Sequence, residues 1–354
     1  MYYTGNFFFK SKIKALEHSN NLNYYYYDKQ YNSIDWTIEP SGNIQGLYKD
    51  NALRLREKYD YLILCFSGGY DSTQILETFI LNNIRIDKII TVGAFSKDNN
   101  SESDDNMNIE AYKNAFSFIK KYNLSSIYET FDYTKWFDIP SNFSIYEHGE
   151  SWIDEIGSLF SPHHFFWRDL EEIVVPNSWR SKRTGIIFGI EKPYLFYEDS
   201  NFYFCFRDSL VNQYGNRNHS QFSDRVLFFW DPTYPQILVK QLHLLKKATL
   251  ISHKLSRKPI NECLENVIKL IHNPVISANG SNSSPVYTIQ NALQVKSPKS
   301  SNIYLSNRDR YLLNCKNTEI FSFYSSGIKS IKNRLNTFYL PSILSKRYLI
   351  GRSD

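Results

Sequence analysis

The stretch from Tyr61 to Ile80, YLILCFSGGYDSTQILETFI, limits the chain to a narrow set of folds. Tyr61 to Phe66 is short, bulky and uncharged and is bounded by turn residues, the pattern of a strand buried on both faces of a parallel sheet. Gly68 and Gly69 end it. From Ser72 the apolar residues Ile75, Leu76, Phe79 and Ile80 recur at i, i+1, i+4 and i+5, one stripe of a helix lying on that sheet. The joint is therefore a strand-to-helix turn, whose backbone N–H groups and helix N-terminus make a concave anion site without any cationic side chain.

Each residue type in the turn has a physical reason. Glycine lets the backbone turn tightly, and a Cβ at Gly68 or Gly69 would stand where a phosphate oxygen should sit. Ser67, Ser72 and Thr73 add hydroxyl donors. Asp71 is the odd member, because a carboxylate beside a phosphate is repulsive unless it caps the helix or meets the phosphate through magnesium or its waters. A Walker loop would read GxxxxGK followed by Ser or Thr, and that pattern is absent.

With a buried strand before it and an amphipathic helix after it, SGGYDS (Ser67 to Ser72) resembles the SGGxDS pyrophosphate-binding loop of the PP-loop ATP pyrophosphatases, an adenine nucleotide alpha hydrolase-like superfamily. That superfamily includes the asparagine synthetase ligase domain, GMP synthetase, the tRNA thiolation enzymes and the queuosine-precursor synthase. The resemblance spans Tyr59 to Phe95. It implies ATP cleaved between its α and β phosphates, an adenylylated substrate, and pyrophosphate held by Ser67, Gly68, Gly69, Asp71, Ser72 and Thr73, with Asp71 meeting Mg2+ directly or through water. Four further segments, NSIDWTIEP (32–40), GIEKP (189–193), FFWDPTYPQILVKQLHLLKK (228–247) and SKRYLIG (345–351), look similar to asparagine-synthetase-like proteins of tailed phages. That second likeness supplies no activity.

At 354 residues, 42% hydrophobic and 16% aromatic, the chain can bury a substantial core in one large or two modest domains. A net charge of +5 favours anionic substrates but falls short of the dense basic stripe that declares nucleic acid. Cys65, Cys205, Cys263 and Cys315 are widely spaced without CxxC, which points to neither a zinc site nor a disulfide framework and fits a reducing compartment. MYYTGNFFFK lacks a signal-peptide pattern and no run approaches a membrane span, so the expected location is cytoplasmic, the host cytoplasm if the chain is phage-encoded.

Residues 1–57 read as an N-terminal extension: a short helix over Ser11 to His18, a strand or a disordered arm at YYYY (24–27), an extended piece over Ile34 to Pro40 and a charged helix over Asn51 to Tyr59. Residues 58–193 read as the nucleotide-binding core. After the loop helix, Asp87 to Phe95 is a second strand, Asn108 to Tyr122 a helix and Ser126 to Phe131 a third strand, the alternation of βαβ units. Ligands of such sheets lie beyond the carboxyl ends of the strands, which brings Val92, Gly93 and Phe95 near the loop; by the superfamily resemblance they border the adenine. Asp132 ends the third strand, as a cap, a surface residue or a group meeting ribose or magnesium.

Arg180, Lys182 and Arg183, in WRSKR, form a candidate clamp for phosphate or carboxylate oxygens, or else a solvated basic turn. Thr184 to Ile190 is a further strand. In the superfamily a late strand end finishes the active site, which makes Glu191 and Lys192 candidates, Lys192 and Arg183 as catalytic cations alongside Asp71. The GEGADE-like sequence of asparagine synthetases is absent. Residues 194–354 read as a β-hairpin, Tyr194 to Tyr197 against Phe202 to Phe206, followed by mostly helical chain that includes Pro235 to Ser256 and Asn261 to His272. The paired His163 and His164 do not face one way on a helix or strand, and His243 reads as a packed or surface residue. Lys329, Lys332, Arg334, Lys346, Arg347 and Arg352 make a basic end open to RNA or to solvent.

The expected fold is thus α/β, a HUP-like, doubly wound parallel sheet with a hairpin and a helical C-terminal region. The expected function is AMP- and pyrophosphate-forming activation of a carboxylate or carbonyl oxygen by ATP and Mg2+, for amidation or ligation. Tyr2 stands where an N-terminal glutaminase cysteine would be needed, so ammonia would come free or from a partner; the acceptor, small molecule or RNA, and any separate sulfur donor stay open. A tRNA- or nucleotide-modifying enzyme and a non-catalytic nucleotide-binding protein are the alternatives.

Overall fold

Among the described residues, eleven strands form three sheets. The computed structural model describes residues 1–26, 28–93, 109–132, 149–155, 170–189, 195–208, 222–272, 318–336, 341 and 343–353. Its strands are β1 Tyr2–Thr4, β2 Phe7–Phe9, β3 Asn23–Tyr24, β4 Tyr61–Cys65, β5 Lys88–Gly93, β6 Tyr128–Asp132, β7 Thr184–Phe188, β8 Leu195–Glu198, β9 Asn201–Phe204, β10 Ser223–Leu227 and β11 Tyr348–Arg352. The helices are α1 Lys12–His18, α2 Asp28–Tyr31, α3 Ile44–Lys58, α4 Tyr70–Leu81, α5 Ile109–Lys121, α6 Trp152–Glu155, α7 Leu170–Val174, α8 Gln236–Ser256, α9 Ile260–His272 and α10 Thr318–Leu335.

The chain is α/β, built on a five-stranded sheet in the order β10-β7-β4-β5-β6, in which every neighbouring pair is parallel. Chain order runs outward from β4 to β5 and β6, then returns to β7 and β10 on the other side. The order therefore reverses between β4 and β7, the place where open α/β sheets leave a crevice at their carboxyl edge. β4 is apolar throughout because it is hydrogen-bonded on both sides and covered on both faces, with Leu62, Ile63 and Leu64 fully buried.

Helices cover both faces. On one, α4 lies so close to the end of β7 that a Cβ on Gly189 would meet Ile75 Cδ1 at 2.9 Å, and Phe118 of α5 meets Phe66 edge-on at 6.5 Å. On the other, Arg225 of β10 and Glu171 of α7 form a buried ion pair, and Lys88 Nζ donates to the Val174 carbonyl at 3.2 Å.

The sheet does not stop at residue 193. β10 completes it from beyond the hairpin, so a core confined to 58–193 is corrected: the βαβ alternation that marks the first three strands is missing before β10, whose SDRVL carries two charges. The charged helix is also longer than Asn51 to Tyr59. It starts at Ile44, capped by the Asn43 side chain, which accepts from Gly46 N at 2.7 Å.

The N-terminal residues are a packed strand arrangement rather than an arm. β1 pairs with β2 and β3, and Tyr24 N donates to the Leu344 carbonyl. Tyr26 and Tyr31 are fully buried against Phe206, at ring distances of 4.5 and 4.7 Å. Trp36, in the stretch read as extended, lies in a turn; its ring packs on Tyr348 and its Nε1 donates to the Tyr31 carbonyl. Beneath this layer Lys12 Nζ meets Asp208 Oδ2 at 2.7 Å, both side chains 3% exposed, and Ile343 N donates to Asp208 Oδ1. Burial pushes the Asp208 carboxyl up, with Lys12 opposing.

The hairpin of β8 and β9 forms at the expected turn, and β11 adds to it antiparallel. Asp199 and Ser200 both hold positive φ, 48° and 61°, as a two-residue turn of the type I′ kind requires.

Two measurements of unfolding check this description. Ser200→Gly relieves a left-handed conformation and is expected to raise stability by about 0.5 kcal/mol; a loss would mean that the turn is not of this kind. Asp208→Ala strands the buried Lys12 ammonium and is expected to cost about 3–5 kcal/mol; a cost under about 1 kcal/mol would show that the pair is open to water.

Candidate functional site

The SGGYDS turn is shaped by its own hydroxyls. Past β4 the chain follows β5 for one more residue: Phe66 N donates to the Ile90 carbonyl at 2.8 Å, and Thr91 Oγ1 donates to the Phe66 carbonyl at 2.6 Å. Gly68 then turns it with φ of +72°, a conformation that L side chains disfavour. The Ser67 and Ser72 hydroxyls lie 3.2 Å apart. Ser67 N donates to Ser72 Oγ, Gly69 N donates to Ser67 Oγ, and Ser72 Oγ donates to the Gly69 carbonyl, at 3.1–3.2 Å.

The two glycines are thus needed for different reasons. Gly68 is needed for its φ, whereas a Cβ on Gly69 would press on Ser67 Oγ at 3.2 Å. Gly69 is the N-cap of α4, and its carbonyl accepts from Thr73 N at 3.0 Å. The N–H groups of a helix's first turn have no acceptor within the helix itself, and the dipole there favours negative charge. Thr73 Oγ1 is buried without a hydrogen-bond partner among the described residues.

Asp71, in the first turn of α4, is 3% exposed. Its charge acts on the phenol of Tyr48, which burial above all, and Asp71 in addition, hold well above the usual tyrosine range. The residue after β7 closes the other wall: a Cβ on Gly189 would stand 2.9 Å from the Asp71 carbonyl carbon and 3.0 Å from Ser72 N. Loop and β7 end are in contact at the reversal point of the sheet.

Val92 and Gly93 end β5 beside the loop, opposite Phe131 and Asp132 of β6, which brings Asp132 to the same edge. Phe95, Glu191 and Lys192 lie outside the described residues, as do Glu102, Asp104, Asp105, His148, His163 and His164.

The WRSKR cations are at the other end of the sheet, and a clamp made from them is a correction to the sequence reading. The Arg183 carbonyl accepts from Asp60 N and Tyr61 N at the start of β4. Arg183 is therefore separated from the loop by the whole five-residue strand, about 16 Å at 3.3 Å per residue. Arg180 pairs with Glu172 at 2.7 Å, and the Arg183 guanidinium lies over the Tyr59 ring. The run seals the amino edge, where Trp179 stacks flat on Tyr61 at 4.1 Å. A residue just before a parallel strand faces the wrong edge for its ligand, a signal already present in the position of Arg183 ahead of TGIIF.

His243 Nε2 bonds to the Trp36 carbonyl at 3.0 Å and burial lowers its pKa, the behaviour of a packed histidine. Of the C-terminal cations, Arg334 is held by Glu17 and Asp154 and Arg347 by Glu198. Burial pushes the Cys65 thiol up to about 12 and the Cys205 thiol up to about 11.

Sequence reasoning missed Gly189 and Tyr48. A glycine ending a strand signals close backbone approach, and GIIFG carried that signal. Tyr48, one of 27 tyrosines, gave none.

Among the described residues no three His, Cys, Asp or Glu side chains gather as a metal site. Magnesium commonly binds through substrate phosphates and one or two carboxylates, and Asp71 is the carboxylate the loop supplies. No helix of the described residues is long and apolar enough to cross a membrane. No family model, curated protein or solved structure matches the chain.

Proposed function

We propose that the chain is an ATP-dependent adenylating enzyme of the PP-loop kind, forming AMP and pyrophosphate. The observation that carries this reading is the self-bonded SGGYDS turn at the reversal point of the parallel sheet, with the α4 N-terminus starting at Tyr70 and a buried carboxylate, Asp71, in its first turn. No cation of the described loop is needed, since aligned N–H groups and the helix dipole favour negative charge by themselves.

In this reading the α4 amides and the Thr73 hydroxyl hold the β and γ phosphates, while the ends of β5, Val92 and Gly93, border the adenine. An oxygen of the acceptor, carboxylate or carbonyl, attacks the α-phosphorus; the new O–P bond forms as the bond to the β-phosphate oxygen breaks, and pyrophosphate leaves. A nitrogen or other nucleophile then displaces AMP. The protein positions the groups and stabilises charge on the leaving phosphates. Magnesium, held on the phosphates with Asp71 nearby, would neutralise part of that charge.

Amidation or ligation ranks above sulfur transfer, because a persulfide carrier needs a thiolate and the raised Cys65 and Cys205 pKa values oppose one. Glu191 and Lys192, following Gly189, remain the proposed contributors from the β7 end.

Pyrophosphate release from magnesium-ATP, with cell extract as the source of acceptor, tests the reading. Ser67→Ala and Asp71→Ala are each expected to lower it roughly a hundredfold. Gly189→Ala, which pushes the loop backbone, is expected to cost on the order of 10-fold to 100-fold. If ATP binds and only phosphate or nothing is released, the reading gives way to a nucleotide-binding protein without catalysis. If the glycine variant releases pyrophosphate at the wild-type rate, the β7 end does not set the loop geometry.

A further inference from the structure

One peptide unit joins the sheet to the loop, and it is held at both ends. The paired register of β4 and β5 stops at Cys65 and Ile90. One residue on, Phe66 N donates to the Ile90 carbonyl at 2.8 Å, and the Phe66 carbonyl accepts from Thr91 Oγ1 at 2.6 Å in a buried bond. The other end of that carbonyl's peptide unit, Ser67 N, donates to Ser72 Oγ at 3.2 Å.

A trans peptide unit is planar, with its C=O and N–H pointing in opposite directions, so fixing the Phe66 carbonyl fixes the direction of the Ser67 N–H. Thr91 does this from a stiff support. It is 2% exposed within β5, opposite Thr130 of β6, and its branched Cβ restricts χ1. Valine would fill the same space between Ile90 and Val92, whereas a buried hydroxyl costs free energy unless it is bonded. Ser72 Oγ carries the constraint further by donating to the carbonyl of Gly69, the N-cap of α4, at 3.1 Å.

We propose that Thr91 is a positioning residue for the SGGYDS loop: its hydroxyl sets the plane of the Phe66–Ser67 peptide, that plane aims Ser67 N at Ser72, and Ser72 ties the loop to the N-cap of α4. The loop geometry is thus set from β5, the neighbouring strand, as well as by the loop's own serines. Its use in binding ATP rests on the adenylation reading; the chain of hydrogen bonds does not.

Thr91→Val removes the hydroxyl and keeps the shape, and a double-mutant cycle with Ser72→Ala in the full chain tests the coupling in two ways. Without ligand, Thr91→Val is expected to speed hydrogen exchange at the Ser67 amide by about 10-fold, and by under about 2-fold when Ser72 is already alanine. Magnesium-ATP affinity is expected to fall by about 10-fold in Thr91→Val, to return to within about 2-fold of wild type in Thr91→Ser, and to change by under about 2-fold when Thr91→Val is added to Ser72→Ala. If Thr91→Val does not fold, Thr91→Ala against Thr91→Ser makes the same comparison, one hydroxyl apart. Equal effects in the two Ser72 backgrounds, or no effect on Ser67 exchange in either, overturn the proposal. If no form binds ATP, the adenylation reading falls while the exchange cycle still decides the role of Thr91.

Discussion

The structure depends on one strand being hydrogen-bonded on both sides. β4 pairs with β5 along one edge and with β7 along the other, and parallel pairing forbids a tight return, so the chain must leave its carboxyl end by a crossover. Because its neighbours were reached in opposite directions, the loops leaving β4 and β7 diverge, and the crevice between them is a product of topology alone. The close approach of Gly189 to Asp71 and Ser72 shows how narrow that crevice is at its base.

Polar groups inside the protein fix how the outer layers meet this sheet. Asn51 Nδ2 donates to the Phe228 carbonyl at 2.9 Å, and Arg54 bonds both Asn51 Oδ1 and Asp231, which ties α3 to the segment after β10. Arg225–Glu171 does the same for α7 beneath the sheet. Such pairs add little net stability over an apolar filling, since desolvation offsets their attraction. Their effect is on register: an apolar contact tolerates a slide, while a two-pronged bond between Arg54 and its partners does not. Burial of the apolar core, which includes Phe228, Trp230 and several tyrosines, supplies most of the driving force.

The inner part of this design was legible in the residues. Strands that are apolar on both faces and helices with a stripe obey simple periods, so β4, α4, β5 and the hairpin turn could be read from them. β10 could not, because an outer strand of the sheet carries Asp224 and Arg225 among its five residues and resembles a loop. The N-terminal tyrosines were ambiguous for another reason: an aromatic run fits an arm as well as a strand until Phe206 and Trp230, about two hundred positions away, are known to be its neighbours. WRSKR misled because charge carries no information about which edge of a sheet it occupies. Loop chemistry is local and readable, whereas edges and partners are set by topology.

Within the loop itself, residue types and residue tasks divide in a way that composition conceals. Ser67 and Ser72 look like phosphate donors, yet their hydroxyls are bonded to each other and to loop backbone, and so hold the turn open before any ligand arrives. That leaves the first-turn amides of α4 without an acceptor inside the helix, with the buried Thr73 hydroxyl beside them. On the proposed reading, an anion site made this way would already be oriented, and binding would not have to order flexible cations first. The exclusion of Arg180, Lys182 and Arg183 to the far edge follows the same logic. A long cationic side chain in the crevice would compete for the amides' place and would lose rotamer freedom on each binding event, whereas a backbone turn fixed by two serines loses none.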